Sequence, residues 1–240
     1  MKDPTSMGEV FLADPPAGAA AAAGPTRRTR AWAVSGIVAA ALGLVTIIVS
    51  LGFWDPDLDY SDPMAIAHRL GDLQSRLIVM HVAMVSGIVA LVVFACGLAR
   101  RLNDALPAGS LHGAVAAGGL GLVAVASLLG SGLDTQFLFA VDAAEDGVPE
   151  TVAFYDHWIA TIPWLWVGAG LAGVVLAVAA LKHKAVPRWI GLVGLVLGGL
   201  TLLFGISPLQ YMAGFLGPVW LLVTALGFTL GDKAYRNAAA

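Results

Sequence analysis

Residues 155–188 read YDHWIATIPWLWVGAGLAGVVLAVAALKHKAVPR, and this stretch decides the fold. Its middle is an uncharged run of Gly, Ala, Val and Leu. Asp156, His157 and three tryptophans stand at one end, and Lys182, Lys184 and Arg188 at the other. About 20 apolar residues at helical rise cross a hydrocarbon core, so the run reads as a membrane-spanning helix. Its aromatic mouth and basic exit match an interfacial belt and a cytoplasmic loop.

The rest of the chain follows this pattern. With 58% hydrophobic and 12% charged residues in 240 and a mean hydropathy of +0.83, the composition is that of a bilayer protein and excludes a soluble domain. Runs of spanning length fall at about 32–53, 77–98, 112–133, 158–181, 189–206 and 212–230. The expected fold class is therefore all-α: a polytopic six-helix bundle over residues 31–231. Residues 1–30, rich in Pro, Gly and Ala, cannot bury a core and are expected as a disordered cytoplasmic tail, with a second tail at 232–240. The first run exceeds a signal-peptide core and lacks a small-residue cleavage site, so it reads as an uncleaved anchor.

Orientation comes from the basic residues. Lys2, Arg27, Arg28, Arg30, Arg100, Arg101, Lys182, Lys184, Arg188, Lys233 and Arg236 fall on one side, and only Arg69 and Arg76 on the other. That places both termini in the cytoplasm. The opposite loops are acidic: Asp55, Asp57, Asp59, Asp62 and Asp72 in the first, Asp134, Asp142, Glu145, Asp146, Glu150 and Asp156 in the second. Asp62-Pro63 is an N-cap followed by proline at the first helical position, and Met64, Ala67, Leu70, Leu73 and Leu77 recur at helical spacing. A short amphipathic helix is expected there. Pro149-Glu150 gives a similar start signal and predicts a long fourth helix. Asp55, Asp57 and Asp59 are spaced like the opening of a calcium loop, but Tyr60 stands where that loop needs Gly and Ile66 where it needs Glu. They read as solvated loop acids.

Glycines such as Gly118, Gly119 and Gly121, Gly168, Gly170 and Gly173, and Gly191, Gly194, Gly198 and Gly199 allow close backbone approach within the bilayer. They serve packing within the chain or, as the alternative, a homodimer through glycine-rich helix faces. Pro163 and Pro218 interrupt the fourth and sixth helices in their outer halves. Trp32, Trp54, Trp158 and Trp189 fit the interfacial belts. Trp164, Trp166 and Trp220 sit deeper and, with Tyr211, are candidates to line an outer-side ligand vestibule. Cys96 alone permits no disulfide and reads as a small apolar filler.

Within the spans the ionisable inventory is short: His81 in the second helix and His112 at the start of the third. The absence of midplane charge argues against an ion-coupled transporter, and the lack of an intramembrane lysine against a retinal protein. No nucleophile–base pair, P-loop or HExxH pattern is present, so no catalytic residue and no metal site are assigned. Nothing in the pattern points to nucleic acid; the lipid bilayer is the one partner it defines.

His81 and His157 lie at comparable depth on different helices. Two such rings can hold haem b, as in the b-type cytochromes of helix bundles, which this chain resembles in that pair alone. The alternative is a structural His81 paired with Asp134 or Asp156. Residues 187–206, PRWIGLVGLVLGGLTLLFGI, a short turn and GPVWLLVTALGFTL at 217–230 resemble the closing hairpin of uncharacterised six-helix bacterial membrane proteins, known only as domains of unknown function. That resemblance implies a multi-pass location in a bacterial plasma membrane and carries no catalytic residue. The functional expectation is a non-enzymatic accessory or small-ligand-binding protein. Its alternatives are a haem- or quinone-linked redox protein using His81 and His157, and a permease for a neutral lipophilic solute.

The topology is tested by single cysteines in a Cys96→Ala background. An impermeant maleimide on spheroplasts should label Asp59→Cys and Glu145→Cys and spare Lys184→Cys; labelling of Lys184→Cys alone overturns the orientation.

Overall fold

The computed structural model describes residues 30–140 and 148–232, and among these every regular element is helical. α1 (Ala31–Ser50) runs into a 3-10 turn at Leu51–Phe53. Then come α2 (Pro63–Asp72), α3 (Gln74–Asn103), α4 (His112–Ser131), α5 (Asp134–Ala140) and α6 (Pro149–Thr161). A 3-10 turn at Ile162–Trp164 leads to α7 (Val167–Leu181). α8 (Arg188–Val193), a π-helical turn at Gly194–Gly198 and α9 (Gly199–Gly205) form one rod, and α10 (Tyr211–Leu230) closes the chain.

Six stretches are long and apolar enough to cross a membrane: Ala31–Phe53, Gln74–Asn103, His112–Leu138, Pro149–Leu181, Arg188–Gly205 and Tyr211–Leu230. They coincide with the expected runs, except that the second runs further at both ends, to Gln74 and Asn103, and the third and fourth run further at the acidic end, to Leu138 and Pro149. The early start at Pro149 and the Asp62 cap were both expected; Asp62 Oδ1 accepts from the Met64 N–H at 2.9 Å. The expected tails, at residues 1–29 and 233–240, and the loop acids Asp142, Glu145 and Asp146 lie outside the described residues.

Neighbours in sequence are neighbours in space. α1 packs on α3, α3 on α4, α4 on α7, α7 on the α8–α9 rod, that rod on α10, and α10 back on α1. Spans four and six are the most buried of the six, because α10 also meets α7 and the turn before it. Trp32, expected at an interface, is instead buried between Phe94 and Phe228, with ring centroids 5.6 and 5.2 Å away. Gly97 makes this fit possible, since any Cβ there would overlap the indole. Cys96, expected as filler, is exposed on α3.

At the basic end two residues assigned to tails are tied in. Asp232 is buried and takes a two-pronged ion pair from Arg101, Nε at 2.7 Å and Nη2 at 3.2 Å. Arg101 Nη2 also donates to the Ala185 carbonyl at 3.1 Å, which Lys184 presents by turning to φ 54° at the end of α7. The Ala185 N–H closes that turn on Ala179 O at 3.0 Å, a left-handed helix cap. Arg30 donates to Thr229 O at 2.6 Å. Arg30 and Asp232, expected one residue outside the bundle at either end, are thus bound to it.

The glycine seams lie within the chain where backbones meet. A Cβ on Gly168 would overlap Gly119 O, and one on Gly198 would lie 2.7 Å from Gly173 Cα. Gly194 and Gly198 are thus spent on span four. By contrast Gly118, Gly121 and Gly199 face open space. Adjacent residues give the test. Gly198→Ala should lose about 1–3 kcal/mol by overpacking, whereas Gly199→Ala should be neutral or gain up to about 1 kcal/mol from helix propensity. Unfolding midpoints in detergent will show whether the two signs differ.

Candidate functional site

Span four is broken where Pro163 was expected only to kink it. α6 stops at Thr161, the chain makes a 3-10 turn, Leu165 leaves helical space at ψ 77°, and α7 restarts at Val167. Proline cannot donate to the helix ladder and its ring collides with the preceding turn. Two carbonyls of the turn find donors locally: Trp166 N–H donates to Trp164 O at 3.0 Å and Trp166 Nε1 to Pro163 O at 2.9 Å. Both indoles rest on glycines of α10, Trp164 on Gly214 and Trp166 on Gly217. Across Pro218 itself α10 continues unbroken.

A cavity of about 440 Å³ opens beside this break at the acidic end. Its walls come from the end of α1 (Ser50, Leu51, Phe53, Trp54), from α6 and its turn (Asp156, His157, Ala160, Thr161, Trp164), from α10 (Tyr211, Phe215) and from Tyr60. Trp164 meets Phe215 and Tyr211 edge-on, with centroids 4.7 and 6.0 Å apart. Thr161 Oγ1 donates to His157 O at 2.8 Å. The 3.2 Å contact between Thr161 and Tyr211 hydroxyls therefore takes its proton from Tyr211. Tyr60 is fixed by the Asp55 N–H, which donates to its oxygen at 2.9 Å, and its ring lies 6.1 Å from that of His157.

The loop acids below Tyr60 serve the turn itself. Asp55 Oδ1 accepts from Asp57 N–H at 3.1 Å, and Asp59 Oδ1 from Ser61 N–H and Oγ at 2.9 and 2.6 Å. The Ser61 hydrogen bonds hold the Asp59 carboxyl below the usual carboxylate range. Among the described residues no group of three or more His, Cys, Asp or Glu is placed to hold a metal ion.

A second polar group lies behind the cavity. Asp134, fully buried, accepts from the Tyr155 hydroxyl at 2.8 Å and contacts His81 Nδ1 at 2.7 Å. The Tyr155 ring stacks on Phe137, centroids 4.1 Å apart. Leu70, Leu73, Leu77, Met80 and Phe53 complete this apolar cap, with α2 packed on α6.

The eight candidate residues divide accordingly. Asp156, His157, Trp164 and Tyr211 share the cavity. His81 and Asp134 meet each other, as one alternative expected, in the network behind it. Trp166 borders a separate space of about 30 Å³ with Gly43, Gly87 and Pro163, and Trp220 is wholly buried over Gly173; neither reaches the vestibule. Tyr155 and His157 are two residues apart, about 200° around a helix. The first joins His81 through Asp134 while the second faces Tyr60, so the two histidines are not presented to each other across a common space. Tyr155, Trp54, Tyr60 and Phe215 were not anticipated. Tyr155 carried a signal, being an aromatic hydroxyl beside Asp156 at the mouth of an apolar run.

No family model matches the chain, and no curated protein or solved structure matches it either. Fold and site alone define its class: an all-helical protein with six helices fit to cross a membrane and an aromatic cavity at its acidic end.

The buried network makes a stability prediction. His81→Ala leaves Asp134 short of a partner and should cost on the order of 1–3 kcal/mol. Tyr155→Phe should cost about 1 kcal/mol. Because both act on one carboxylate, the double variant should depart from additivity by about 0.5 kcal/mol or more. An unchanged melting temperature for His81→Ala would show the pair to be dispensable.

Proposed function

We propose that this chain is a multi-pass protein of a bacterial plasma membrane that holds a small amphipathic ligand in a vestibule on the outer face. In this reading it is an accessory or binding protein and not an enzyme. The observation that carries the reading is the cavity beside the broken fourth span, which gathers Asp156, His157, Trp164 and Tyr211 with further aromatic side chains. Ligand sites are concave, largely apolar and furnished with a few polar groups, and irregular backbone at membrane depth occurs where protein or a cavity surrounds it. The outer location rests on the basic-residue asymmetry: the cavity lies at the end away from Arg100, Arg101, Lys182, Lys184 and Arg188. Its volume corresponds to about fifteen water molecules at ~30 Å³ each.

The test uses protein in nanodiscs and a panel of small soluble amphiphiles, cationic, neutral and anionic, followed by saturation-transfer NMR. Ala160→Trp fills the cavity with an indole from its own wall. Some panel members should bind the wild type and be lost in Ala160→Trp. If no member distinguishes the two proteins, the vestibule reading is overturned.

A further inference from the structure

We propose that the vestibule selects an organic cation, a small alkylated ammonium group carried on an apolar body. The inference rests on the vestibule being a ligand site and names the chemistry it takes. Three carboxylates are buried in the described chain: Asp134, Asp156 and Asp232. Asp134 is held by His81 and Tyr155, and Asp232 by Arg101. Asp156, 4% exposed, makes no hydrogen bond among the described residues, and it is the one of the three that lines the cavity. A buried carboxylate without a hydrogen bond is costly, and a cation in the cavity would offset that cost.

The walls fit the same ligand. Trp54, Tyr60, Trp164, Tyr211 and Phe215 bring aromatic rings to the space, and the faces of such rings attract ammonium groups by their quadrupole. The aliphatic hydroxyls of the walls are already engaged within the helices: Ser50 Oγ donates to Ile47 O at 2.8 Å and Thr161 Oγ1 to His157 O at 2.8 Å. The charges around Asp156 leave a surplus of acid. Arg69 and His157 act on it, but Arg69 is shared with Asp55, 3.4 Å from its Nε. Arg76 lies against Gly52, exposed and outside the lining. The loop acids Asp57, Asp59, Asp62 and Asp72 add to a field that draws cations to this end.

The ammonium group can come from a soluble amine or from a lipid headgroup, and the experiment separates the two. In nanodiscs of phosphatidylglycerol alone, choline and benzyltrimethylammonium are titrated against the neutral isosteres in which carbon replaces the ammonium nitrogen. The cations should bind the wild type about tenfold or more tightly than the isosteres. Asp156→Asn should remove that preference while leaving the isosteres unchanged. Trp54→Leu, at an exposed ring whose loss the fold tolerates, should weaken the cations selectively. Competition by phosphatidylethanolamine added to the nanodisc would assign the group to lipid, and its absence to a soluble amine. Binding that Ala160→Trp abolishes but that is equal for cation and isostere, or indifferent to Asp156→Asn, overturns the cation inference while leaving the vestibule. Loss of any Ala160→Trp-sensitive binding overturns both.

Discussion

Span four can stand at the centre of the bundle because α7 has almost no side chains on the faces it turns to its neighbours. Between lipid tails and an apolar helix there is no hydrophobic force to bring helices together, so association rests on backbone approach and dispersion. Gly168 meets Gly119 of α4 on one face, while Gly170 and Gly173 meet Leu202 and Gly198 of the fifth span on another. Ala169, Ala172, Leu176 and Ala180 fill what remains of the core around them. A helix so thin brings three neighbours within reach at once, α4, the α8–α9 rod and α10.

That thinness has a consequence at the acidic end. The small-residue run stops at Val167, and immediately before it come Trp164, Leu165 and Trp166, the bulkiest stretch of the span. Two indoles cannot continue the same close approach. Pro163 breaks the ladder, and the indoles are accommodated by glycines on the facing helix, Gly214 and Gly217. Above the break α6 carries Asp156, His157 and Thr161 to the vestibule wall. The vestibule is the space left where a thin helix gives way to a thick one. Of its aromatic lining, Trp164 belongs to the break itself, and Trp54, Tyr60, Tyr211 and Phe215 come from other segments.

This order explains how much was legible beforehand. Six spans, the Asp62 cap and the early start at Pro149 follow from local signals, namely hydropathy over about twenty residues, a capping pair and a proline at the first turn. The His81–Asp134 pair was legible as one of two alternatives, since a histidine inside a span needs a polar partner and few acids are near. Trp166 and Trp220 were misassigned because depth along a helix does not say which side a ring faces. That depends on which neighbour offers a glycine to receive it: Gly43 and Gly217 for the first, Gly173 for the second. Trp32 was misplaced for the same reason, through Gly97. Arg101 was legible as a topological charge but not as a buried partner of Asp232, a residue 131 positions away.

The contacts that hold Asp134 and Asp232 share one helix. His81 lies near the acidic end of α3 and Arg101 near its basic end, about 30 Å apart along the axis. The first takes Asp134 beside α5, and the second takes Asp232 beyond α10 and the carbonyl that follows α7. Burying a charge is costly unless its partner is fixed in place, so each pair forms only when the segments carrying it have docked. α3 is thereby pinned at both ends to parts of the chain that its apolar surface does not select by itself. Against that pattern Asp156 stands apart. The charges acting on it are those of His157 and of Arg69 on α2, and it makes no hydrogen bond among the described residues while it lines the cavity. Among the described residues the fold gives two of the three buried carboxylates a side-chain partner, and Asp156 is left beside the cavity.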